Sequence, residues 1–269
     1  MLIKESFVDL PTSFGTTMRV LTFHPVIPGY PKAKFPGVVV YSEIYQVTGP
    51  VSRIAKQIAS QGFIVAAPAV YHNFVSYEPL AYDTEGTDNG NEYKIQKPVE
   101  SYDEDRVLTI DYLCSLETCT GRIGATGMCL GGHLAFRAAF DKRVKAAVCW
   151  FGTDIHSATL GKGKHDDSLK RAAEIKAELL MIFGTRDPHV PTEGRDLIRQ
   201  KLNEAGVFFS FWEVAGAQHA FVRDENSKGR YDAAVTRLGM EMLFELFNRH
   251  LKLDLGDADG LEVKVDDVC

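Results

Sequence analysis

In Gly127-Met128-Cys129-Leu130-Gly131 a thiol stands between two glycines, each two residues away. An apolar run (122–128) ends just before it and a helix-length stretch (131–140) begins just after it, which is the setting of a nucleophile on a sharp strand-to-helix turn. The demand is steric. A strained turn of this kind tolerates no bulk at its flanks, and it aims the backbone N–H after the nucleophile at the place where an oxyanion would form. Cys129 would also sit at a helix N-terminus, where the peptide dipole favours the thiolate over a thiol whose reference pKa is about 8.5. The thiolate is the nucleophile. Cys114, Cys119 and Cys149 lie in or beside apolar stretches without a glycine pair and read as core thiols, while Cys269 reads as an exposed C-terminal thiol.

A nucleophile of this type needs a base and an acid to orient it, in the chain order nucleophile, acid, histidine. The apolar run 177–184 leads into Thr185-Arg186-Asp187-Pro188-His189, and the run 207–214 leads into Ala215-Gly216-Ala217-Gln218-His219. Asp187 and His219 therefore follow separate strands in the required order. Asp187 could instead be a turn or cap residue before the helix near Thr192, and His219 an ordinary loop histidine. His24, His72, His165 and His250 follow no late strand, and His189 lies too close to the proposed acid. His156, after the run 144–152, is kept as a wall of the pocket.

The elements that must hold these residues alternate along the chain. Short apolar runs at 35–43, 63–71, 122–128, 144–152, 177–184 and 207–214 read as strands, all but the last nearly continuous in apolar residues, as strands covered on both faces should be. Between them lie helical stretches at 50–60, 100–116, 131–140, 192–205 and 228–250. The pattern predicts an α/β fold with a mostly parallel, doubly wound sheet and helices on both faces. Residues 1–25 read as an antiparallel hairpin turning at 12–15 and forming one edge. Two connections, 72–98 and 153–171, exceed the roughly 12–15 residues of an ordinary loop and read as excursions. The GKGKHD segment in the second reads as flexible loop. The Asp-rich tail 253–269 should be surface-bound or frayed, and nothing divides the 269 residues into two domains.

Composition removes other classes. Thirty Lys and Arg against 36 Asp and Glu give a net charge of −6 with no basic block, which speaks against nucleic acid. Five cysteines without a CxxC pair suit neither a disulfide framework nor a zinc site, and no metal-ligand spacing or cofactor motif occurs. Acidic Glu5 and Asp9 interrupt any leader-like stretch, and no apolar run approaches the ~18 residues of a membrane span, so a cytoplasmic protein is expected.

Taken together, GMCLGG, GTRDPHVP, AQHAFVRD and the strand-end Glu43-Ile44 of VVVYSEIYQ resemble the dienelactone hydrolases (carboxymethylenebutenolidases), a cysteine branch of the α/β-hydrolase fold. YSEIYQVTGP and TGMCLGGHLAFRA look closest to the eukaryotic dienelactone hydrolase-like proteins, and the resemblance runs over about residues 1–250. It implies Cys129 as nucleophile, His219 as its base and Asp187 as the group fixing the imidazole tautomer. Glu43 matches a glutamate that interacts with the resting thiol and helps deprotonate it. The backbone N–H groups of Ile44 and Leu130 match the oxyanion hole, and Arg223 matches an arginine that binds a substrate carboxylate. Where the bacterial type has a second arginine, Ala67-Pro68-Ala69-Val70-Tyr71 leads here to His72 and Asn73, so Asn73 stands as the substrate-binding candidate at that place.

From the residues alone Glu43 could be a strand-end carboxylate paired with Arg or Lys, and Arg223 could be a solvated charge in RDENSKGR. The expected function is hydrolysis of a small-molecule ester or lactone through an acyl-thioester. A non-catalytic ligand-binding protein on the same scaffold is the alternative. A thiol redox protein ranks last, because no resolving cysteine stands at a recognisable spacing.

Overall fold

A computed structural model describes residues 1–253, so the polar tail, including Cys269, lies outside the described residues. Eight strands form one sheet: β1 (Leu2–Pro11), β2 (Thr17–Val26), β3 (Phe35–Tyr41), β4 (Ile64–Pro68), β5 (Cys119–Met128), β6 (Val144–Trp150), β7 (Glu178–Gly184) and β8 (Phe209–Val214). Their order is β1-β2-β4-β3-β5-β6-β7-β8. The hairpin β1–β2 and its pairing with β4 are antiparallel, and every later pairing is parallel. Gly15, at φ +74°, takes the left-handed turn that closes the hairpin.

β3, β4 and β7 are buried at every residue, as their unbroken apolar sequences require of strands covered on both faces. The six helices are α1 (Gly49–Ser60), α2 (Thr84–Gln96), α3 (Val99–Ser115), α4 (Leu130–Ala138), α5 (Thr192–Glu204) and α6 (Ala233–Phe247). Adjacent residues of β5 show the two layers. Ile123, paired with Gly37, belongs to the face where Leu113 of α3 packs, whereas Gly124 meets Phe247 and Leu251 at the end of α6. A Cβ on Gly37 would stand 2.8 Å from the Ile123 methyl and 3.2 Å from that of Leu113, and one on Gly124 would stand 2.8 Å from the Leu251 methyl, so both positions are tight enough to call for glycine. The α/β-hydrolase fold, with its antiparallel N-terminal edge, is as the sequence predicts.

Several local expectations change. The stretch 72–98 is not merely loop, since α2 occupies half of it. The helix is polar and carries two glycines, which hides it from an apolar-periodicity reading. Gly86 is needed because a Cβ there would stand 2.1 Å from the Ala81 carbonyl oxygen. Both ends of this stretch are tied to α3. Lys97 Nζ donates to Asp105 Oδ2 at 2.6 Å and to the Val70 carbonyl at 2.7 Å, and His72 Nε2 lies 2.8 Å from Asp105 Oδ1, all out of solvent.

The second excursion is also anchored, at the end of GKGKHD, whose residues 162–165 are exposed. Asp166 is buried and accepts from Arg137 at 2.8 Å, and Ser168 Oγ lies 2.7 Å from His133 Nε2. Cys114 is exposed rather than core, because the buried side of α3 passes through Ile110 and Leu113 and turns the next residue outward. Finally, α6 begins at residue 233 rather than 228, where the Asp232 carboxylate accepts from the Val235 N–H at 2.9 Å as its cap.

Candidate active site

The parallel strands all point their C-terminal ends toward one edge of the sheet, the place where open α/β sheets bind ligands. Register does the first part of the work. Tyr41 of β3 pairs with Gly127 of β5, and Met128 pairs with Trp150 of β6. The loops leaving these strands, with Glu43-Ile44, Cys129 and Thr153, therefore emerge side by side.

Cys129 is the N-cap residue of α4 at φ +59°, ψ −118°, a conformation that residues with a Cβ rarely adopt. Its N–H donates to the Trp150 carbonyl at 3.1 Å, and its own carbonyl accepts from Gly132 N–H at 3.0 Å. The flanking glycines are sterically required. A Cβ on Gly127 would stand 2.2 Å from the Gly131 oxygen, and one on Gly131 would stand 2.2 Å from the Tyr41 oxygen. Leu130, as first residue of α4, carries an N–H that no intrahelical carbonyl can accept.

Asp187 and His219 arrive on the loops after β7 and β8, and those loops are bonded together. Arg186 N–H donates to the Ala217 carbonyl at 2.9 Å, and a Cβ on Gly184 would stand 2.3 Å from that same oxygen. His219 Nδ1 then lies 2.7 Å from Asp187 Oδ2, while Asp187 Oδ1 accepts from the His189 backbone N–H at 2.8 Å. Burial works against a charge on His219. The negative charge of an ionised Cys129 and the hydrogen bond that the ring donates to Asp187 outweigh it and push the imidazole pKa up to about 10.

Cys129 and His219 open into one cavity of about 380 Å³ lined also by Glu43, Ile44, His156 and Arg223. Glu43 and Arg223 are buried and lie 3.6 Å apart, so the carboxylate does pair with an arginine, inside the pocket. The solvated reading of Arg223 fails because its neighbours Asp224 and Glu225 turn outward to Arg53 of α1. Asn73 is not in the cavity lining. Its Oδ1 accepts from Ser101 at 3.4 Å on the α3 side, since the chain after Tyr71 turns toward the Asp105 cluster.

Other lining residues were not foreseen. His189 has its ring centroid 4.5 Å from that of His219; burial and then the His219 charge lower its pKa. Its position in DPHVP, beside the candidate acid, was the available signal. Lys94 from α2 donates to Asp154 at 2.9 Å. Burial opposes ionisation of Asp154, yet the Lys94 charge and the hydroxyls of Thr159 and Thr153 hold its pKa down at about 2. Lys228 and Arg230 add positive charge on the loop before α6. Outside the lining itself, Tyr82 from the first excursion donates to Glu43 Oε2 at 3.3 Å. Nothing in the local sequence marks it.

Among the described residues no group of three or more His, Cys, Asp or Glu is arranged to hold a metal ion, and no helix is long and apolar enough to cross a membrane.

Known proteins similar to this chain in sequence point to one family. The Dienelactone hydrolase family profile matches residues 23–251. A protein of Saccharomyces cerevisiae provisionally named carboxymethylenebutenolidase is 57% identical over 273 residues, covering 100% of both chains. One of Synechocystis, named in the same provisional way, is 26% identical over 93% of this chain and 98% of its own. A crystal structure of a dienelactone hydrolase-like promiscuous phosphotriesterase from metagenomic libraries shares the fold, with a TM-score of 0.73 at 18% identity over 93% of this chain and 100% of that one. With its elbow, its sheet order and this match over most of its length, the chain belongs to the dienelactone hydrolase family and is a hydrolase of that family.

Proposed function

We propose that the protein hydrolyses small lactones or activated carboxylic esters through a Cys129-His219-Asp187 triad. The observation that carries this reading is Cys129 on its strained elbow at the head of α4, sharing one cavity with an imidazole that Asp187 holds at 2.7 Å.

In the first step the Cys129 thiolate attacks the substrate carbonyl, and the N–H groups of Ile44 and Leu130 stabilise the oxyanion. The tetrahedral intermediate collapses to an acyl-thioester as the alkoxide or enolate leaves with a proton from His219. Acylation removes the Cys129 negative charge, one of the interactions that hold the proton on His219. Burial then favours the neutral ring, so the residue that acted as an acid becomes the base that activates water for deacylation. A thiolate is itself a good leaving group, which favours enol-lactones and activated esters over amides.

In this reading Glu43 interacts with the resting thiol and helps deprotonate it when substrate arrives, and Arg223 binds a substrate carboxylate. His156 forms part of the wall. The arginine of the bacterial type is missing after Tyr71, although Lys228 and Arg230 also line the cavity beside Arg223, and the role proposed for Asn73 falls away with its position. No cofactor enters the scheme. A nucleophilic thiol needs a reducing environment, which supports a cytoplasmic setting.

Turnover of p-nitrophenyl acetate tests the reading. Cys129→Ala should abolish it and His219→Ala should cut it by about 10³-fold or more. Unchanged turnover in both variants would overturn the assignment, and a pure ligand-binding protein would show no substrate-protected labelling of Cys129 by iodoacetamide.

A further inference from the structure

The segment between β3 and α1 is bonded along most of its length to the first excursion. Glu43 accepts from Tyr82. A Cβ on Gly90 of α2 would stand 2.4 Å from the Ile44 carbonyl oxygen. The Tyr45 carbonyl accepts from Leu80 N–H at 2.9 Å, and the Gln46 amide donates to the carbonyls of Ser76 and Glu78 at 2.7 and 2.8 Å. Such a segment is a fixed wall, and it carries both the candidate carboxylate and one candidate oxyanion donor.

Within it, Thr48 breaks a local rule. It occupies the N-cap position of α1, where a threonine hydroxyl ordinarily accepts from the first turn, but it makes no cap hydrogen bond. Its Oγ1 lies instead 2.7 Å from Tyr82 Oη. A phenol has one proton. With that proton directed to Glu43 Oε2, an acceptor only when ionised, the Thr48 hydroxyl must donate to Tyr82, so the direction of the chain is Thr48 to Tyr82 to Glu43. The Arg223 guanidinium lies 4.5 Å from the centroid of the same Tyr82 ring and 3.6 Å from the same Glu43 oxygen. Tyr82 thus touches both charged groups proposed to handle the thiol and the substrate. Sequence departures from local preference of this kind are expected where function requires them.

We propose that Tyr82 is a positioning residue for the reaction: with Thr48 behind it and Arg223 across its ring, it holds Glu43 by Oε2 so that Oε1 is the oxygen available to the Cys129 thiol. The inference rests on the cysteine-hydrolase reading and assigns a residue to the control of its glutamate. Burial and the adjacent Glu43 charge raise the Tyr82 pKa, so the phenol remains a proton donor across the working range.

The test is a double-mutant cycle with p-nitrophenyl acetate. Tyr82→Phe deletes one oxygen and keeps the ring against Arg223. It should lower kcat by about fivefold with little change in KM, and the loss should disappear in a Glu43→Gln background. Thr48→Val should act in the same direction more weakly and add nothing to Tyr82→Phe. An equal loss with and without Glu43 would mark Tyr82 as merely structural and overturn the proposal, as would no loss in either background. Full activity of Glu43→Gln alongside a dead Cys129→Ala would also overturn it while leaving the triad standing. Turnover retained by Cys129→Ala would instead remove the underlying reading.

Discussion

Asp187 Oδ2 lies 2.7 Å from His219 Nδ1, which fixes the ring so that Nε2 is the nitrogen left for chemistry. Asp187 is only one of the groups that hold a proton on this histidine. The ionised Cys129 is the other, against the opposing effect of burial. Histidine NMR on the enzyme with Cys129 ionised should show the His219 ring protonated up to about pH 10. In Cys129→Ala the thiolate charge is gone and burial meets less opposition, so the ring should lose its proton at lower pH. A titration that does not move would show that Cys129 and His219 are not coupled.

Gly90 tests the wall directly. Alanine is the better helix former by roughly 1 kcal/mol, so Gly90→Ala should not weaken α2 itself. Its Cβ would nevertheless stand 2.4 Å from the Ile44 oxygen and must displace that carbonyl, moving with it the Ile44 Cα and so the preceding peptide that carries the Ile44 N–H. An oxyanion donor is worth roughly 10²–10³ in kcat, and a partial displacement should cost about tenfold. Steady-state kinetics with a neutral activated ester, beside a thermal melt, would separate this from unfolding.

Arg223 should set charge preference. Its guanidinium is buried beside the cavity and, among the described residues, pairs with one carboxylate, Glu43. Arg223→Ala should raise KM for esters with an anionic acyl group by about tenfold or more, the scale of a charge-assisted hydrogen bond, while neutral esters change far less. Equal effects on a matched pair of anionic and neutral esters would remove the carboxylate role.

Stability of the first excursion should depend on Lys97. Burial pushes its ammonium pKa down while the Asp105 carboxylate opposes that fall. Removing one partner of such a pair leaves the other charge buried and uncompensated. Lys97→Met should therefore cost about 3–5 kcal/mol in urea unfolding. A cost below about 1 kcal/mol would mean that His72 or water compensates Asp105 without it.

The elbow was legible because steric necessity writes itself into residue type. Only glycine fits at 127 and 131, where carbonyl oxygens crowd the missing Cβ, and those two letters bracket Cys129 in the chain. Strands that are buried on both faces are also plain, since β3 and β7 must be apolar throughout. Asp187 and His219 could be found because each directly follows a strand. The polar α2 could not, because its fit depends on Gly86 meeting Ala81 and Gly90 meeting Ile44, contacts with no periodic signature. Cys114 was misplaced for a related reason: the buried side of a helix is chosen by its neighbours, and α3 offers a weak apolar stripe.

By itself, then, the sequence determined the sheet, the strained thiol and the order of its partners, since these follow from local sterics and burial. Tertiary structure alone decided what surrounds them. His189 and Lys94 enter the cavity, Tyr82 comes to stand behind Glu43, and Asn73 lies outside the lining, through packing between segments distant in the chain. Strength and direction of a buried charge depend on which groups face it, and that is a property of the assembled cavity rather than of any stretch of residues.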